Sequence, residues 1–251
     1  VDIKTWEVAT AQKQADPSVL FNVQTPSPNG NSTLIALRPD TYKVPAKQSA
    51  NDTLFTSSVA LGVLDQYATL LNLKKPSEEM RLQRITSDEL GFQQIRFEQQ
   101  FKDIPVWGAE LIVHTDHNGS IYQINGTIQN TPDIDPAFNF SAASAIDRMK
   151  TILSSEGLMM DVPNVYQRWM GISDPTSTPY IYITEDGPKS VYEVKYHAGL
   201  AHRETVIMDA VTGEILNRIN QICSMEHIID KLNLPESPQK TGTFATAGIP
   251  F

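Results

Sequence analysis

The stretch that decides the fold is Phe92-Gln93-Gln94-Ile95-Arg96-Phe97-Glu98-Gln99-Gln100-Phe101-Lys102-Asp103-Ile104-Pro105-Val106-Trp107-Gly108-Ala109-Glu110-Leu111-Ile112-Val113-His114. In its first part, Ile95, Phe97 and Phe101 alternate with Gln94, Arg96, Glu98 and Gln100. A period of two puts the apolar set on one face of an extended chain and the polar set on the other, which predicts a half-buried strand over 93–101. Glu110 to Thr115 and Ile121 to Ile128 predict two more strands. Asn118-Gly119 between them fits a tight hairpin turn, because both residues tolerate positive φ.

On the N-terminal side, the first fifty residues are broken by Asp16-Pro17, Pro26-Ser27-Pro28-Asn29-Gly30 and Arg38-Pro39-Asp40. They predict loops with an edge strand or two, Leu34 to Leu37 among them. Asn51 to Leu73 predicts a helix, with Asn51 or Asp52 as cap and Leu54, Leu61, Leu64, Ala68 and Leu71 at helical spacing. Lys74, Lys75 and Pro76 end it.

On the C-terminal side, Thr131-Pro132-Asp133-Ile134-Asp135-Pro136 reads as a linker, since two prolines so close disfavour both helix and ladder. Ser141 then caps a helix with Ala142, Ala145, Ile146, Met149, Ile152 and Leu153 on one stripe. Strands follow at Tyr180 to Ile183, Val191 to Tyr196 and Glu204 to Ala210, with turns at Asp186-Gly187 and Thr212-Gly213. The expected class is α+β, with two successive units, each a helix packed on a curved antiparallel sheet.

Composition narrows the function. The chain has 251 residues, with 20 Lys and Arg against 29 Asp and Glu, a net charge of −9. That excess of acid argues against a nucleic-acid binder, which needs clustered cations. No run approaches the roughly 20 apolar residues of a membrane span. The single cysteine, Cys223, permits no internal disulfide. His-Glu-x-x-His, a Gly-x-Ser-x-Gly elbow and a phosphate-cradling glycine loop are all missing from the sequence. His114-Thr115-Asp116-His117 has a loose metal-like spacing, but it spans a strand and a turn, so the rings diverge. Asn31, Asn51, Asn125 and Asn139 begin formal glycosylation sequons. Gly108 suits a turn or bulge, Pro105 a rigid strand start, and Arg96 and Gln99 can satisfy neighbouring backbone groups.

The quoted stretch resembles the propeptide domain shared by fungalysin and thermolysin-type metallopeptidases. The likeness lies in Arg96-Phe97-Glu98-Gln99, the short turn, Pro105-Val106-Trp107-Gly108-Ala109-Glu110-Leu111, Val113-His114 and the closing Asn125-Gly126. The second half resembles a PepSY domain. There the likeness lies in the Ala-rich helix, Val191-Tyr192-Glu193-Val194-Lys195-Tyr196, and Asp209-Ala210-Val211-Thr212-Gly213-Glu214-Ile215-Leu216. In this order the pair resembles the pro-region of thermolysin-type (M4) zinc metallopeptidases.

The resemblance implies four segments: an irregular N-terminal arm over 1–48, a propeptide domain over 49–131, a cystatin-like PepSY domain over 137–220, and a tail or linker toward a catalytic domain over 221–251. It marks Arg96, Gln99, Pro105, Val106, Gly108, His114, Asn125, Gly126, Asp209 and Gly213 as structural or partner-interface residues. It assigns no catalytic or metal residue to this chain. The implied role is a zymogen pro-region that acts as intramolecular chaperone and inhibitor until cleaved. Its partner would be the cognate catalytic domain, covalently continuous or non-covalently held after cleavage, with no nucleic acid and no membrane span. Zinc and calcium are expected only in that catalytic domain. The expected location is secreted or extracellular, periplasmic in transit, and the expected cleft-blocking parts are the linker-side edges and the tail after Gln221. Val1 and the motif-free tail read as the cut edges of a larger precursor. The alternative is a stand-alone secreted peptidase inhibitor or binding module built from the same domains.

Overall fold

The computed structural model describes residues 16–27, 30–44, 52–158, 174–199 and 202–221. In chain order the strands β1 (Val19–Ser27) and β2 (Gly30–Leu37) lead into the helices α1 (Asp52–Gln66), α2 (Ala68–Leu71) and α3 (Pro76–Glu79). Then come β3 (Met80–Ser87), β4 (Gln93–Phe101), β5 (Ile104–Thr115), β6 (Ile121–Ile128) and α4 (Ala142–Ser155). The last described elements are β7 (Thr176–Thr184), β8 (Gly187–Gly199), β9 (His202–Asp209) and β10 (Ile215–Asn220). The result is a sheet-rich α+β molecule with few helices.

The alternation in β4 has the expected effect. Ile95 and Phe97 are fully buried, as are Leu111 and Val113 of β5 and Ile124 of β6. With Ile35 and Leu37 of β2 they form one apolar face, against which Ala60, Val63, Leu64, Tyr67 and Leu71 pack. Each fully buried Ile, Leu or Phe contributes roughly 1.5–3 kcal/mol relative to exposure. A second cluster joins Ala145, Met149 and Leu153 of α4 to Tyr192, Val194, Tyr196, Val206 and Met208. Ser141 caps α4, its Oγ accepting from the Ser144 N–H at 3.1 Å.

The two clusters are spanned by one hydrogen-bonded network. Its strand order is β1-β2-β6-β5-β7-β8-β9-β10, with β4 also on β5 and β3 beyond β4. All pairings are antiparallel except β5 with β7, a parallel contact at Val106 and Ile181. The fork arises from a bulge. Glu98 faces Glu110 but Gln100 faces Pro105, so two steps along β4 correspond to five along β5. The excess, at Val106 to Gly108, leaves β4 and reaches β7. Gly108 sits at φ +72, in the left-handed region that a residue without Cβ adopts at little cost. Val106, Ala109 and Ile181 bury themselves there, with Phe101, Ile104, Ile134 and Ile183 packed around them.

Several expectations need correction. The N-terminal arm is not irregular throughout: β1 and β2 form a hairpin, and β2 pairs with β6. The strand expected around Leu34 to Leu37 falls in β2, which lies between β1 and β6 rather than at an edge. The long helix is divided at Tyr67, and Asn72 closes α2 in the left-handed conformation. Tyr67 turns its hydroxyl to Ser18 Oγ at 2.7 Å, which fastens the start of β1 to the helices. The turn between β5 and β6 is longer than Asn118-Gly119. The Asp116 carboxylate accepts the N–H groups of Asn118 and Ser120, both at 2.8 Å. The linker region is irregular as expected, yet it is tied down on both sides. The Thr131 hydroxyl donates to Glu79 at 2.7 Å, and the Ala137 N–H donates to Ser190 Oγ at 3.0 Å. The tail, Cys223 and the Asn51 cap lie outside the described residues, as does the Leu54 side chain.

Ile181→Ala tests the joint. It should cost about 2–5 kcal/mol, as large-to-small changes in a closed core do. It should also separate unfolding into two transitions, read by calorimetry alongside denaturant melts. A single transition with unchanged midpoint would contradict the role of this cluster.

Candidate functional site

Of the residues singled out on β4, β5 and β6, Arg96, His114 and Asn125 share the polar face, opposite the one formed by Ile95, Phe97, Leu111 and Val113, while Gln99 and Val106 are buried. Neighbouring strands bring like charges together, because Glu98 stands directly opposite Glu110. Each has its own cation: Arg81 lies 3.2 Å from Glu98, and Arg96 is ion-paired with Glu110. Arg96 therefore pairs with a carboxylate rather than with backbone.

Gln99 does engage backbone. It is fully buried. Its Nε2 donates to the Gln129 carbonyl and its Oε1 accepts the Gln129 N–H, both at 2.9 Å. The register of β5 on β6, in which Glu110 faces Thr127, would set Gln129 opposite Gly108. Because the bulge has carried β5 away there, the Gln99 amide supplies the missing rung.

Gly126 closes the arrangement from β6. Its φ is +153, and a Cβ there would lie 2.1 Å from the Glu110 carbonyl oxygen and 2.9 Å from Leu111 Cα. Only glycine lets the two backbones approach so closely. Beside it, Asn125 Oδ1 lies 2.6 Å from His114 Nε2 and 3.1 Å from Gln123 Nε2. Burial pushes the His114 imidazole below its ordinary value near 6.5; the bond with Asn125 opposes this and the Arg96 charge adds to it.

Pro105 opens the bulge, paired with Gln100 just past a two-residue turn at Lys102 and Asp103, both at positive φ. Trp107, within the quoted stretch but not among the marked residues, reaches furthest. Its Nε1 donates to Glu193 at 3.0 Å, and its ring meets Tyr182 edge-on at 5.3 Å. Sequence reasoning missed Glu193, since an acidic residue in a strand reads as solvent-facing. Here Glu193 is buried. Trp107, Glu98, Glu110, Asn125, Tyr180 and Glu193 border a groove of about 480 Å³. Burial, with the Glu193 and Glu98 charges, pushes the Tyr180 phenol up to about 12.

Asp209 and Gly213 belong to a separate turn at the end of β9. Asp209 Oδ1 accepts from the Val211 N–H at 2.8 Å and the Thr212 N–H at 3.0 Å. Lys189 lies 3.5 Å from its other oxygen. Burial acts to raise the Asp209 carboxyl, but the two backbone donors and Lys189 together bring it below 3.8. Gly213, at φ +80, lies under the Arg148 guanidinium. This turn orders the backbone where α4 meets the sheet. Among the described residues, no group of three or more His, Cys, Asp or Glu side chains is placed to hold a metal ion.

This geometry coincides with a known family pattern. Residues 78–128 match the Fungalysin/Thermolysin Propeptide Motif. The propeptide motif thus runs from α3 through β6 and contains the fork, the Gln99 rung and Gly126. The chain is also similar to thermolysin from Alicyclobacillus acidocaldarius subsp. acidocaldarius, 29% identical over 141 residues, 54% of this chain and 24% of that protein. It is similar to bacillolysin from Bacillus amyloliquefaciens, 25% identical over 155 residues, 59% of this chain and 28% of that protein. The chain thus spans about a quarter of the length of these curated relatives. Among solved structures, the Bacillus megaterium YpeB C-terminal domain aligns over 80% of this chain and 82% of its own, at 11% identity and TM-score 0.33.

Gln99→Leu should cost about 1–3 kcal/mol, because it removes the two hydrogen bonds by which the buried Gln99 amide holds the Gln129 backbone. Gln99→Glu can replace both bonds only as the neutral acid, since an ionised carboxylate would be buried with an oxygen against the Gln129 carbonyl. It should therefore be unstable at neutral pH and recover relative to Gln99→Leu in acid; denaturant melts of the two variants at both pH values check this. Gly126→Ala should cost at least about 2 kcal/mol through strain and backbone collision. At Asp209 the folded carboxyl is the stronger acid, so its contribution is complete above about 3.8 and is lost as pH falls through the folded value. Asp209→Asn should therefore be less stable than the parent at neutral pH, and the two should converge in acid melts below about pH 4.

Proposed function

We propose that this chain is the pro-region of a secreted thermolysin-like zinc metallopeptidase, assisting the folding of the catalytic domain and blocking it until cleavage. The observation that carries the reading is the propeptide motif over 78–128, set within an alignment to thermolysin and bacillolysin that takes in only about a quarter of those proteins. The polar residues of the motif support it, because they fix backbone geometry in pairs: Arg96 with Glu110, Gln99 with Gln129, His114 with Asn125. No helix among the described residues is long and apolar enough to cross a membrane.

In this reading the motif residues hold a rigid surface for the partner. A second, PepSY-like and cystatin-like unit over about 137–220 is supported by the order of α4 before β7 to β10 and by the Asp209 turn. Anything that binds the native catalytic domain and not its unfolded form stabilises it by mass action. While the two are one chain, the effective concentration is high; after cleavage it falls to that of free solution. Zinc and calcium would reside in the catalytic domain. The stand-alone inhibitor remains the second reading, supported by how many of this surface's polar groups find partners within the chain itself.

The test mixes the purified chain with its cognate mature peptidase. Inhibition at about micromolar concentration, and a higher refolding yield of the denatured peptidase, are expected. Failure of both would overturn the proposal. A coding sequence that continues into His-Glu-x-x-His selects the pro-region; a stop codon just after Phe251 selects the stand-alone inhibitor.

A further inference from the structure

His114, paired with Asn125 in the reading above, also stands among aromatic and charged groups that the reading does not use. Its Nε2 lies 2.6 Å from Asn125 Oδ1, an oxygen that also accepts from Gln123 Nε2. The oxygen can only accept, so Nε2 carries the hydrogen in the neutral ring, and an added proton must go to Nδ1. The ring lies 6.0 Å from that of Tyr122, which stands edge-on to Phe92 at 6.4 Å, and Phe92 in turn lies 6.1 Å from His117. Phe92 and Leu90, on the turn before β4, are exposed. Under this aromatic row is a cavity of about 220 Å³, lined by Thr86, Asp88, Phe92, Gln94, His114 and Tyr122.

The charged groups around the imidazole are unevenly placed. On β4, Gln94 is directly opposite and Arg96 is two residues on, ion-paired with Glu110 of β5. Across from Arg96, β3 sets a further cation, Arg84. On β6 the facing groups are Gln123, Asn125 and Tyr122, none of them a carboxylate. In the two turns, Asp88 Oδ1 accepts the N–H groups of Leu90 and Phe92, and Asp116 Oδ1 those of Asn118 and Ser120. The nearest strand carboxylate is thus committed to Arg96, and the only carboxylate lining the cavity is Asp88.

We propose that His114 is a protonation switch for this end of the sheet: neutral, it donates through Nε2 to Asn125 beside Tyr122; charged, it gains a second donor at Nδ1, becomes a further cation beside Arg96 and Arg84, is drawn across the cavity toward Asp88 against the pull of Asn125, and releases the Phe92 turn. The cavity gives the ring room to move without displacing the core beneath β4. Asp88 gives the displaced cation a destination, and the row from His114 through Tyr122 to Phe92 passes the movement to the surface. The device belongs to this chain alone, so it stands or falls independently of any peptidase partner.

The experiment follows the histidine ring protons and the Phe92–Tyr122 contact of the full 251-residue chain by NMR between about pH 8 and pH 5. His114 should titrate below 6.5, and the ring contact should fade with the same midpoint. Because the folded imidazole holds its proton less tightly than the unfolded one, stability is complete above 6.5 and falls as pH drops through the folded value. Between about pH 7.5 and pH 5 the parent should therefore lose about 2–4 °C more in melting temperature than His114→Gln, which keeps an amide donor for Asn125 and cannot ionise. Arg96→Gln should raise the His114 midpoint, and His117→Gln should leave it unmoved. A His114 midpoint at or above 6.5, a ring contact that persists once His114 is charged, or equal pH slopes for the parent and His114→Gln would each overturn the proposal. Should His114→Gln not fold, the titration of the parent chain decides alone.

Discussion

The sheet depends on the bulge of β5 at Val106 to Gly108. A strand can present only two hydrogen-bonding edges, and β5 must serve three neighbours: β4, β6 and β7. The excess residues solve this by giving β5 two registers along its length. Beyond Glu110 it lies between β4 and β6, while at Val106 it turns its free edge to β7. The left-handed conformation at Gly108 makes the turn affordable, and the buried Gln99 amide repairs the gap left at Gln129.

This arrangement explains why polar residues are clustered where a core would be expected. Gln99, Glu79 and Glu193 are all buried, and each ties one element to another. Glu79 accepts the N–H groups of Lys74 and Lys75 with one oxygen and the Thr131 hydroxyl with the other, joining the start of α3 to the segment after β6. Glu193 joins β8 to the bulge through Trp107. Buried groups of this kind cost more to leave unpaired than they gain when paired, so they select one arrangement of the elements over others that would bury as much apolar surface.

The sequence showed the interior of the fold more clearly than its margins. β4 was legible because Ile95 and Phe97 have a buried face to alternate against, and β6 because Ile121, Ile124 and Ile128 are buried apolar residues between turn signals. α4 was legible for the same reason, through Ala145, Met149 and Leu153. β3 and β10 were not, since each has a neighbour on one side only and little burial to impose a pattern. The continuity of the sheet across the linker was invisible, because a single parallel contact at Val106 and Ile181 leaves no periodic trace. Of the site, the residue types at 96, 99, 108, 125 and 126 were distinctive, but which groups they meet was not legible, because the pairing of Arg96 with Glu110, Gln99 with Gln129 and Trp107 with Glu193 is set only by the register.

The last described strand has a mechanical consequence. β10 leaves the sheet at Asn220, which faces Glu204 of β9, and the chain continues from Gln221. Tension arriving from that side loads the rungs one after another, as in unzipping, rather than all together. Arg218, two residues before the end of the strand, grips Glu204 and Glu156 of the α4 C-cap at once. Behind the Gln221 bonds to Arg203 and Thr205, the resistance to peeling is therefore an ion cluster anchored on a helix, placed so that a pull on the tail is passed to α4 as well as to the sheet.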